Sequence, residues 1–257
     1  MPTSAMKLAC GVEYIGTQYC GWQSQKDHVA IQDHLEKAIS RVANESIRIH
    51  GSGRTDSGVH AYEQVFHFTS HAKRKKNQWM DGINSNLPND ILIRWVKEVP
   101  IEFDARRSAL FRRYDYLIEN NRPSVFVKGR SLFVYKKLNL MFMKKAANHL
   151  IGKNDFSSFR ASSCQSNNPT REMKSISFIQ EDQLRIEFIA NAYLHHMIRN
   201  IMGTLIDIGH GKIEADMMKE ILDAKDRKLA SKKVSADGLY LFSVKYPEKY
   251  QLPTIGI

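Results

Sequence analysis

Alternating apolar and polar residues recur in short stretches along the chain. This pattern predicts strands, because successive side chains of a strand point to opposite faces. In LRIEFIA at 184–190, for example, apolar residues take every second position from Leu184 to Phe188. Six stretches are predicted as strands: 8–14, 63–68, 91–100, 111–119, 184–190 and 239–247. We expect one face of each strand to pack on a hydrophobic core.

Three other stretches repeat apolar residues at every third or fourth position, which predicts amphipathic helices. They are 31–42, 143–151 and the long stretch 192–209, and Gly209 and Gly211 act as stop signals for the last. The predicted buried stripe of that last helix is Leu194, Met197, Ile198, Ile201, Leu205 and Ile208.

The order of these elements predicts an α+β fold in two halves, residues 1–104 and 105–257. Each half contains strands followed by a helix and further strands. No internal repeat is visible in the residues themselves, so the two halves are inferred from the rhythm of elements alone.

The stretch GSGRTDSGVHA at 51–61 is dense in glycine, which indicates a sharply bent backbone that presents a side chain. It does not fit a dinucleotide loop, because Asp56 occupies the last glycine position of GxGxxG, and it lacks the lysine of a P-loop. One carboxylate remains, Asp56. In an extended segment Arg54 would lie on the same face, and a nearby guanidinium favours the ionised carboxylate.

Two other interpretations of Asp56 stay open from these residues alone. The carboxylate could cap backbone N–H groups in a turn. It could also be half of an aspartic-protease pair, although the later ADG at 236–238 lacks the serine or threonine of such a turn.

The composition of the chain indicates what kind of partner it binds. The chain has 257 residues and is 42% hydrophobic, enough to bury a core, and 38 Lys and Arg against 27 Asp and Glu give a net charge of +11. A basic protein of this size is typical of nucleic-acid binding. Three cysteines without CxxC spacing argue against a disulfide framework and a zinc site, and the sequence shows neither a membrane span nor a signal peptide. We expect a cytoplasmic protein.

Segments over nearly the whole chain resemble, in the same order, the TruA-type tRNA pseudouridine synthases. GSGRTDSGVHA resembles that family's GRTDxGVHA signature. The other similar segments are YIGTQYCGWQSQ (14–25), NSNLPNDI (84–91), FDARRSALFRRYDYLI (103–118), DFSSFRA (155–161), NAYLHHMIRNIMGTLIDIGHGK (191–212) and GLYLFSVKYP (238–247).

The resemblance implies four site residues. The family's catalytic aspartate corresponds to Asp56, and the arginine of the same motif corresponds to Arg54. The tyrosine of its Arg-Arg-Tyr-x-Tyr strand corresponds to Tyr114, and the arginine of its His-His-Met-x-Arg helix to Arg199. Asp56 would then be catalytic, and the other three would bind the substrate. Without the resemblance, spacing alone favours a half-buried strand tyrosine at Tyr114 and a surface arginine at Arg199.

The chain departs from the family pattern at two places. Ser52 stands where alanine is usual, and VSADG at 234–238 replaces an Ala-Pro-Ala-x-Gly run. The second change leaves the shape of that loop open, but it does not alter the four site residues.

The resemblance implies a tRNA pseudouridine synthase that isomerises uridines 38, 39 and 40 in the anticodon arm. It further implies a pseudouridine synthase fold, in which two α/β halves share a mostly antiparallel central sheet with flanking helices and an active-site cleft between them. The expected partners are tRNA and a second copy of the chain in a homodimer, with no cofactor, metal or membrane. Two alternatives remain: a synthase for other RNA uridines, and a catalytically silent RNA-binding factor.

The chemistry requires a carboxylate near C1′ or C6 of the nucleotide and a flat support for the base. Asp56 could attack C1′, add to C6 or abstract the 2′ proton, and the sequence does not choose among these. Tyr114 offers an aromatic face for stacking, and Arg199 can pair with Asp56 or a phosphate.

Further basic and titratable residues are expected to have other roles. His195 and His196 are adjacent on the predicted helix, where side chains diverge by about 100°, so we interpret them as RNA-facing or core histidines rather than metal ligands. The run at 71–76 is expected to be a solvated loop, with a phosphate contact as the alternative. Candidate backbone clamps for the RNA are Arg106, Arg107, Arg112, Arg113 and the same run.

Overall fold

The computed structural model describes residues 5–120 and 124–253, and these contain ten strands and five α-helices. The strands are β1 (Met6–Tyr14), β2 (His50–Gly51), β3 (His60–Ser70), β4 (Ile91–Val99), β5 (Phe111–Glu119), β6 (Leu132–Phe133), β7 (Gly152–Asp155), β8 (Thr170–Gln180), β9 (Leu184–Ala190) and β10 (Leu239–Lys245). The α-helices are α1 (Ile31–Ala43), α2 (Lys76–Asn84), α3 (Leu140–Asn148), α4 (Met197–Gly209) and α5 (Met217–Ala224).

The predicted fold class is confirmed: the chain is mixed α+β, and most strand pairs are antiparallel. All six predicted strands are present, as β1, β3, β4, β5, β9 and β10. Across residues 5–120 and 124–253, every helix is too short or too polar to cross a membrane.

The chain divides into two compact units. Unit 1 comprises Met1–Leu110 and Tyr240–Ile257, and unit 2 comprises Phe111–Leu239. This division differs from the predicted halves, 1–104 and 105–257, because the last strand returns to the first unit. There β10 pairs in parallel with β3, with Tyr240 opposite His60. The outermost residues of the predicted halves, 1–4 and 254–257, lie outside the described residues.

Unit 1 is built on antiparallel strands in the order β4, β1, β3, with β10 beside β3 and the short β2 also paired to β3. Its core is aromatic: Phe66 and Phe68 of β3 are fully buried, and Trp79 of α2 meets Phe68 edge-on with ring centroids 5.4 Å apart. Helix α1 packs against α2, and α2 packs against β4. The Asp33 carboxylate fixes the start of α1 by accepting the Ala30 N–H at 2.9 Å.

Unit 2 has strands in the order β5, β9, β8, β7, all antiparallel, with the short β6 parallel to β5. Helix α3 packs on α4, α5 and β8. Tyr116 and Phe188 of the sheet and Met143 and Ile201 of the helices are fully buried. The predicted stripe of the long helix is buried at every position from Leu194 to Ile208, which confirms that prediction.

Two helices begin at places that the apolar spacing did not indicate. Helix α3 starts three residues before the first predicted position, because the Asn139 side chain accepts the N–H groups of Met141 and Phe142 at 3.1 and 3.3 Å. Helix α4 starts at Met197 instead of 192, because His196 has a left-handed backbone with φ of 63°. A left-handed residue cannot continue an α-helix, so the predicted helix was too long at its N-terminus.

One strand of the sheet of unit 1 carries a buried histidine. His67 of β3 is 6% exposed, stacks on His50 of β2 with centroids 5.2 Å apart, and accepts the Ala105 N–H through Nδ1 at 3.1 Å. Burial lowers the pKa of His67 from 6.5 to about 4, and the opposing attraction of Asp104 is smaller. His67 is therefore neutral in the folded protein at neutral pH.

Because the pKa of His67 is lowered, we expect the folded protein to lose stability in weak acid. Above pH 6.5 this histidine is neutral in both states and adds no pH dependence. Between pH 6.5 and 4 the unfolded chain binds a proton that the folded chain does not, so the free energy of unfolding falls as the pH falls. We expect His67 to contribute a decrease of about 3 kcal/mol by pH 4, measured by urea denaturation across this range.

The variant His67→Asn isolates this contribution, because its amide oxygen can still accept the Ala105 N–H but does not titrate. Its stability should depend less on pH than that of the parent chain. The exposed control His28→Asn should keep the parent slope. Equal slopes for the parent chain and His67→Asn would contradict the prediction.

Candidate active site

The glycine-rich stretch forms a loop between β2 and β3 in unit 1, and we call residues 52–59 the Asp56 loop. Arg54 is exposed, Thr55 is buried and Asp56 is half-buried, so the carboxylate lies at the surface of a loop whose preceding residue is anchored inside. Residues 54–56 have no regular secondary structure, and a turn at Ser57 and Gly58 follows. The loop therefore carries a bend directly after the carboxylate, as its composition indicated.

A second loop of unit 1 grips the Asp56 loop on both sides of Asp56. We call residues 15–24 the clasp. Before Asp56, the Thr55 carbonyl accepts the Trp22 N–H at 3.1 Å. After it, the Tyr19 carbonyl accepts the Gly58 N–H at 3.3 Å and the Ser57 hydroxyl at 3.2 Å. Backbone groups of the clasp thus fix the residues that flank the carboxylate.

Gly21 of the clasp is required by this contact. Its φ is +83°, a region that favours glycine, and a Cβ there would lie 2.5 Å from the Thr55 carbonyl oxygen. By contrast, a Cβ on Gly53 of the Asp56 loop would meet nothing within 4 Å. The close approach of the two loops therefore depends on a glycine of the clasp.

Two side chains join the base of these loops to the sheet. The Tyr14 hydroxyl of β1 lies 2.8 Å from the Thr55 hydroxyl, and both groups are buried. His60, the first residue of β3, is 1% exposed and accepts the Gly16 N–H through Nδ1 at 3.0 Å. Strand β1 thus holds the Asp56 loop at Thr55, and strand β3 holds the clasp at Gly16.

Ser52, the first departure from the family pattern, has a structural role. Its hydroxyl donates to Oε1 of the fully buried Gln64 at 2.5 Å, and its N–H donates to the Val65 carbonyl at 2.7 Å. The Gln64 amide in turn donates to the Gly53 carbonyl at 2.8 Å. The serine hydroxyl therefore satisfies a buried amide that also fixes the start of the loop.

Tyr114 lies on β5 in unit 2 and is 8% exposed. Its ring meets the ring of Tyr193 edge-on, with centroids 5.0 Å apart. The Tyr193 hydroxyl donates to the Phe188 carbonyl at 2.8 Å and lies 3.2 Å from the Arg112 carbonyl, so it ties Tyr193 to both β9 and β5. Burial raises the pKa of Tyr193, which keeps this hydroxyl a donor. Sequence reasoning missed Tyr193, which the helical pattern assigned to a predicted helix.

Arg199 lies in the first turn of α4 and is half-buried. Its Nε donates to the Val234 carbonyl at 3.0 Å, and the Val234 N–H donates back to the Arg199 carbonyl at 3.3 Å. The second family departure, 234–238, is therefore the loop that orients Arg199. The Tyr116 hydroxyl also donates to the Ser235 carbonyl in this loop.

The histidine pair is arranged differently from the prediction. His195 and His196 precede α4 instead of lying on it, and the left-handed backbone of His196 brings their rings together, with centroids 3.9 Å apart. The predicted divergence of about 100° was wrong because it assumed helical geometry. His195 is exposed and 3.4 Å from the Ser163 hydroxyl, so it is not a core residue.

The candidate RNA clamps separate into two groups. Arg106, Arg107 and the run at 71–76 are largely exposed, which fits a solvated loop as well as a phosphate contact. Arg112 is 8% exposed and donates to the Asn191 carbonyl at 2.6 Å. Arg113 donates to acidic side chains of the sheet. Both arginines therefore have partners within unit 2.

Arg113 forms a bidentate pair with Asp115, at 2.8 and 2.7 Å, and also donates to Glu187 on the neighbouring strand at 2.5 Å. Asp115 is 1% exposed. Burial raises the pKa of Asp115, while Arg113 and Arg185 oppose that shift. The two strands are thus joined by a partly buried charge network.

Comparisons with known proteins identify the family of this chain. A family model described as tRNA pseudouridine synthase matches residues 11–106 and 146–247. The chain belongs to this tRNA pseudouridine synthase family. Proteins named tRNA pseudouridine synthase A are 46% identical in Vibrio parahaemolyticus, 47% in Aliivibrio salmonicida and 48% in Cronobacter sakazakii. The matches cover 98%, 98% and 96% of this chain and 96%, 97% and 93% of those proteins.

Each unit of this tRNA pseudouridine synthase family member carries two of the four predicted site residues. Arg54 and Asp56 share a loop of unit 1, and Tyr114 and Arg199 lie on a strand and a helix of unit 2. The ion pair expected between Arg54 and Asp56 stays a prediction.

The support of Tyr114 by Tyr193 can be tested with two substitutions. Tyr193→Leu removes both the edge-on ring and the hydroxyl, and aromatic pairs contribute roughly 0.5–1.5 kcal/mol beyond burial. We expect it to lower kcat/KM for pseudouridine formation in tRNA by roughly tenfold. Tyr193→Phe keeps the ring and should lose less. Equal activity of Tyr193→Leu and the parent chain would show that Tyr114 does not need this support.

Proposed function

We propose that this chain isomerises uridine to pseudouridine at positions 38, 39 and 40 of the tRNA anticodon arm. The relatives named tRNA pseudouridine synthase A, similar over nearly its whole length, support this substrate. The observation that carries the proposal is the half-buried carboxylate of Asp56 on a loop fixed at both flanking residues. A positioned carboxylate is what the isomerisation needs.

Asp56 is the proposed catalytic group. Breaking the N1–C1′ bond and joining C5 to C1′ requires no redox step, so one carboxylate can serve by attacking C1′, adding to C6 or abstracting the 2′ proton. The fixed loop limits the motion of the carboxylate relative to the nucleotide, which favours any of the three.

Tyr114, Arg54 and Arg199 are the proposed substrate-binding residues. The ring of Tyr114 has a firm edge-on support in Tyr193, which suits it to stack on a uracil. The Val234 carbonyl accepts a hydrogen bond from Nε of Arg199, and this contact fixes the orientation of the guanidinium. A guanidinium held in this way suits a phosphate or a carboxylate.

The target base must leave its stack to reach a carboxylate, which costs a few kcal/mol. The net charge of +11 supplies attraction for the RNA backbone. We also infer a homodimer and a cytoplasmic location. The location is supported by Cys10, Cys20 and Cys164, all of which are free thiols.

Asp56→Asn tests the proposed chemistry, because the amide keeps the size of the side chain but is neither a base nor a nucleophile of comparable strength. We expect it to abolish tritium release from [5-³H]uridine-labelled tRNA and to leave tRNA binding intact. Asp182→Asn, on an exposed turn of unit 2, is the matched control and should retain full activity. An Asp56→Asn variant with normal turnover would overturn the assignment.

The same assay separates the two alternatives. Tritium release from RNA other than tRNA, with none at positions 38–40, would favour a synthase for other uridines. Binding of tRNA without tritium release from any RNA by the parent chain would favour a silent RNA-binding factor.

The exposed arginines Arg106 and Arg107 are expected to contact phosphates. Each lost phosphate contact lowers the slope of log K against log salt by about 0.9. Arg106→Gln/Arg107→Gln should therefore weaken tRNA binding and reduce the slope by about 2. Lys73→Gln/Arg74→Gln, in the run expected to be a solvated loop, is the control and should change the slope little. A reversed result would exchange the roles of the two regions.

A further inference from the structure

The backbone of Tyr19 is hydrogen-bonded to the two residues that follow Asp56. Its carbonyl accepts two hydrogen bonds from the Asp56 loop, the Gly58 N–H at 3.3 Å and the Ser57 hydroxyl at 3.2 Å. Both donors directly follow Asp56 in the chain. The position of the Tyr19 carbonyl therefore sets where the backbone turns after the carboxylate.

The side chain of Tyr19 anchors that carbonyl from the opposite direction. Its hydroxyl donates to Oδ1 of Asp90 at 2.6 Å, and its ring, 6% exposed with the rest of the residue, meets His34 of α1 edge-on at 5.5 Å. Burial, followed by the Asp90 carboxylate, raises the pKa of Tyr19, so the hydroxyl remains a donor. A short hydrogen bond to a carboxylate is among the stronger ones in proteins.

Asp90 holds the clasp at two points. Besides accepting the Tyr19 hydroxyl, it accepts the Ile15 N–H through its carbonyl at 3.0 Å. Asp90 is the residue before β4, and its neighbour Ile91 is fixed by a bond from its N–H to the Pro88 carbonyl at 3.1 Å. A rigid strand end therefore fixes the beginning and the middle of the clasp.

We propose that Tyr19 and Asp90 are positioning residues that hold the Asp56 carboxylate in its reactive place through the clasp. The chain of contacts runs from Asp90 to the Tyr19 hydroxyl, and from the Tyr19 carbonyl to Ser57 and Gly58. This inference rests on the proposed function, because it assumes that Asp56 performs the chemistry. It assigns a role to residues of NSNLPNDI and YIGTQYCGWQSQ, two segments in which the proposed function names no residue.

Loss of the anchor should slow catalysis, because it would allow the Asp56 carboxylate to move. Without the Asp90 anchor, the clasp keeps its backbone bonds to the Asp56 loop but can move together with it. A displacement of about 1 Å at a reacting group can cost as much as a hundredfold in rate. Binding of tRNA, which relies on basic residues spread over the surface, should not change.

Four variants test the proposal by kcat and KM for tRNA and by thermal unfolding. Tyr19→Phe removes only the hydroxyl, and Asp90→Ala removes only its acceptor. Each should lower kcat roughly ten- to hundredfold with KM within about twofold of the parent value. Asp90→Asn retains an acceptor oxygen and should restore most of kcat. The double variant Tyr19→Phe/Asp90→Ala should be no slower than either single variant, because both break the same contact.

Tyr246→Phe is the matched control, since it also removes a buried tyrosine hydroxyl of unit 1, the donor to the Ala105 carbonyl at 2.6 Å. It should leave kcat unchanged at a similar loss of stability. A parent-like kcat for Tyr19→Phe would overturn the proposal. So would an equal loss of kcat in Tyr246→Phe, which would show a general effect of destabilisation.

The same measurements distinguish this failure from failure of the proposed function. If the parent chain forms no pseudouridine in tRNA, or if Asp56→Asn remains active, the proposed function fails. If the parent chain is active, Asp56→Asn is inactive and Tyr19→Phe is as fast as the parent, only the positioning role is wrong.

Discussion

The contact between the clasp and the Asp56 loop is the constraint on which the candidate site depends. Two irregular backbones meet there, and the hydrogen bonds that join them involve carbonyls of Thr55 and Tyr19. Irregular backbone costs free energy to order, and its polar groups need partners when they are half-buried. By pairing with each other, the two loops satisfy these groups and fix the residues on either side of Asp56. The absence of a Cβ at Gly16 and at Gly21 permits the approach.

The sheet of unit 1 explains why this contact is rigid. The clasp follows β1, the Asp56 loop runs directly into β3, and β1 and β3 are antiparallel neighbours. The clasp and the Asp56 loop therefore leave the same end of the strand pair. Tyr14 and His60 lie at that end and bond to Thr55 and Gly16 across the gap. The two loops of the candidate site are extensions of paired strands, and such rigid elements position side chains more precisely than unsupported loops do.

Sequence patterns predicted several elements whose two faces differ strongly in burial, although helix α5, which buries Met218, Ile221 and Leu222, was missed. The stretch 184–190 alternates in composition, and β9 alternates in burial along its whole length. The helix α2 and the strand β8 were missed because few of their residues are buried. In α2 only Trp79 and Ile83 are buried, and in β8 only Met173 is, so neither leaves a periodic signal.

The site was predicted only as far as its motifs extend. Asp56 and Arg54 were recognisable from a dense glycine-rich stretch, and Tyr114 and Arg199 from a resemblance. Tyr193 and Tyr19 were not recognisable, because the Tyr193 ring meets Tyr114 and the Tyr19 hydroxyl donates to Asp90, and both of these partners are distant in the chain. The His195 and His196 geometry also could not be predicted, since it depends on one left-handed residue that no pattern indicates. A signal did exist for Tyr19, in the aspartate of NSNLPNDI, but linking the two required the fold.

Supports made through backbone carbonyls explain how the chain can depart from its family pattern without losing the site. Arg199 and Tyr116 donate to the carbonyls of Val234 and Ser235, and every residue type at these positions offers a carbonyl. The family's proline at the place of Ser235 would stiffen this loop by fixing φ. In this chain the Ser235 hydroxyl instead accepts the Asp237 N–H at 3.3 Å, which restrains the same turn by a hydrogen bond. The replacement therefore changes how the loop is stiffened while it keeps the acceptor that orients Arg199.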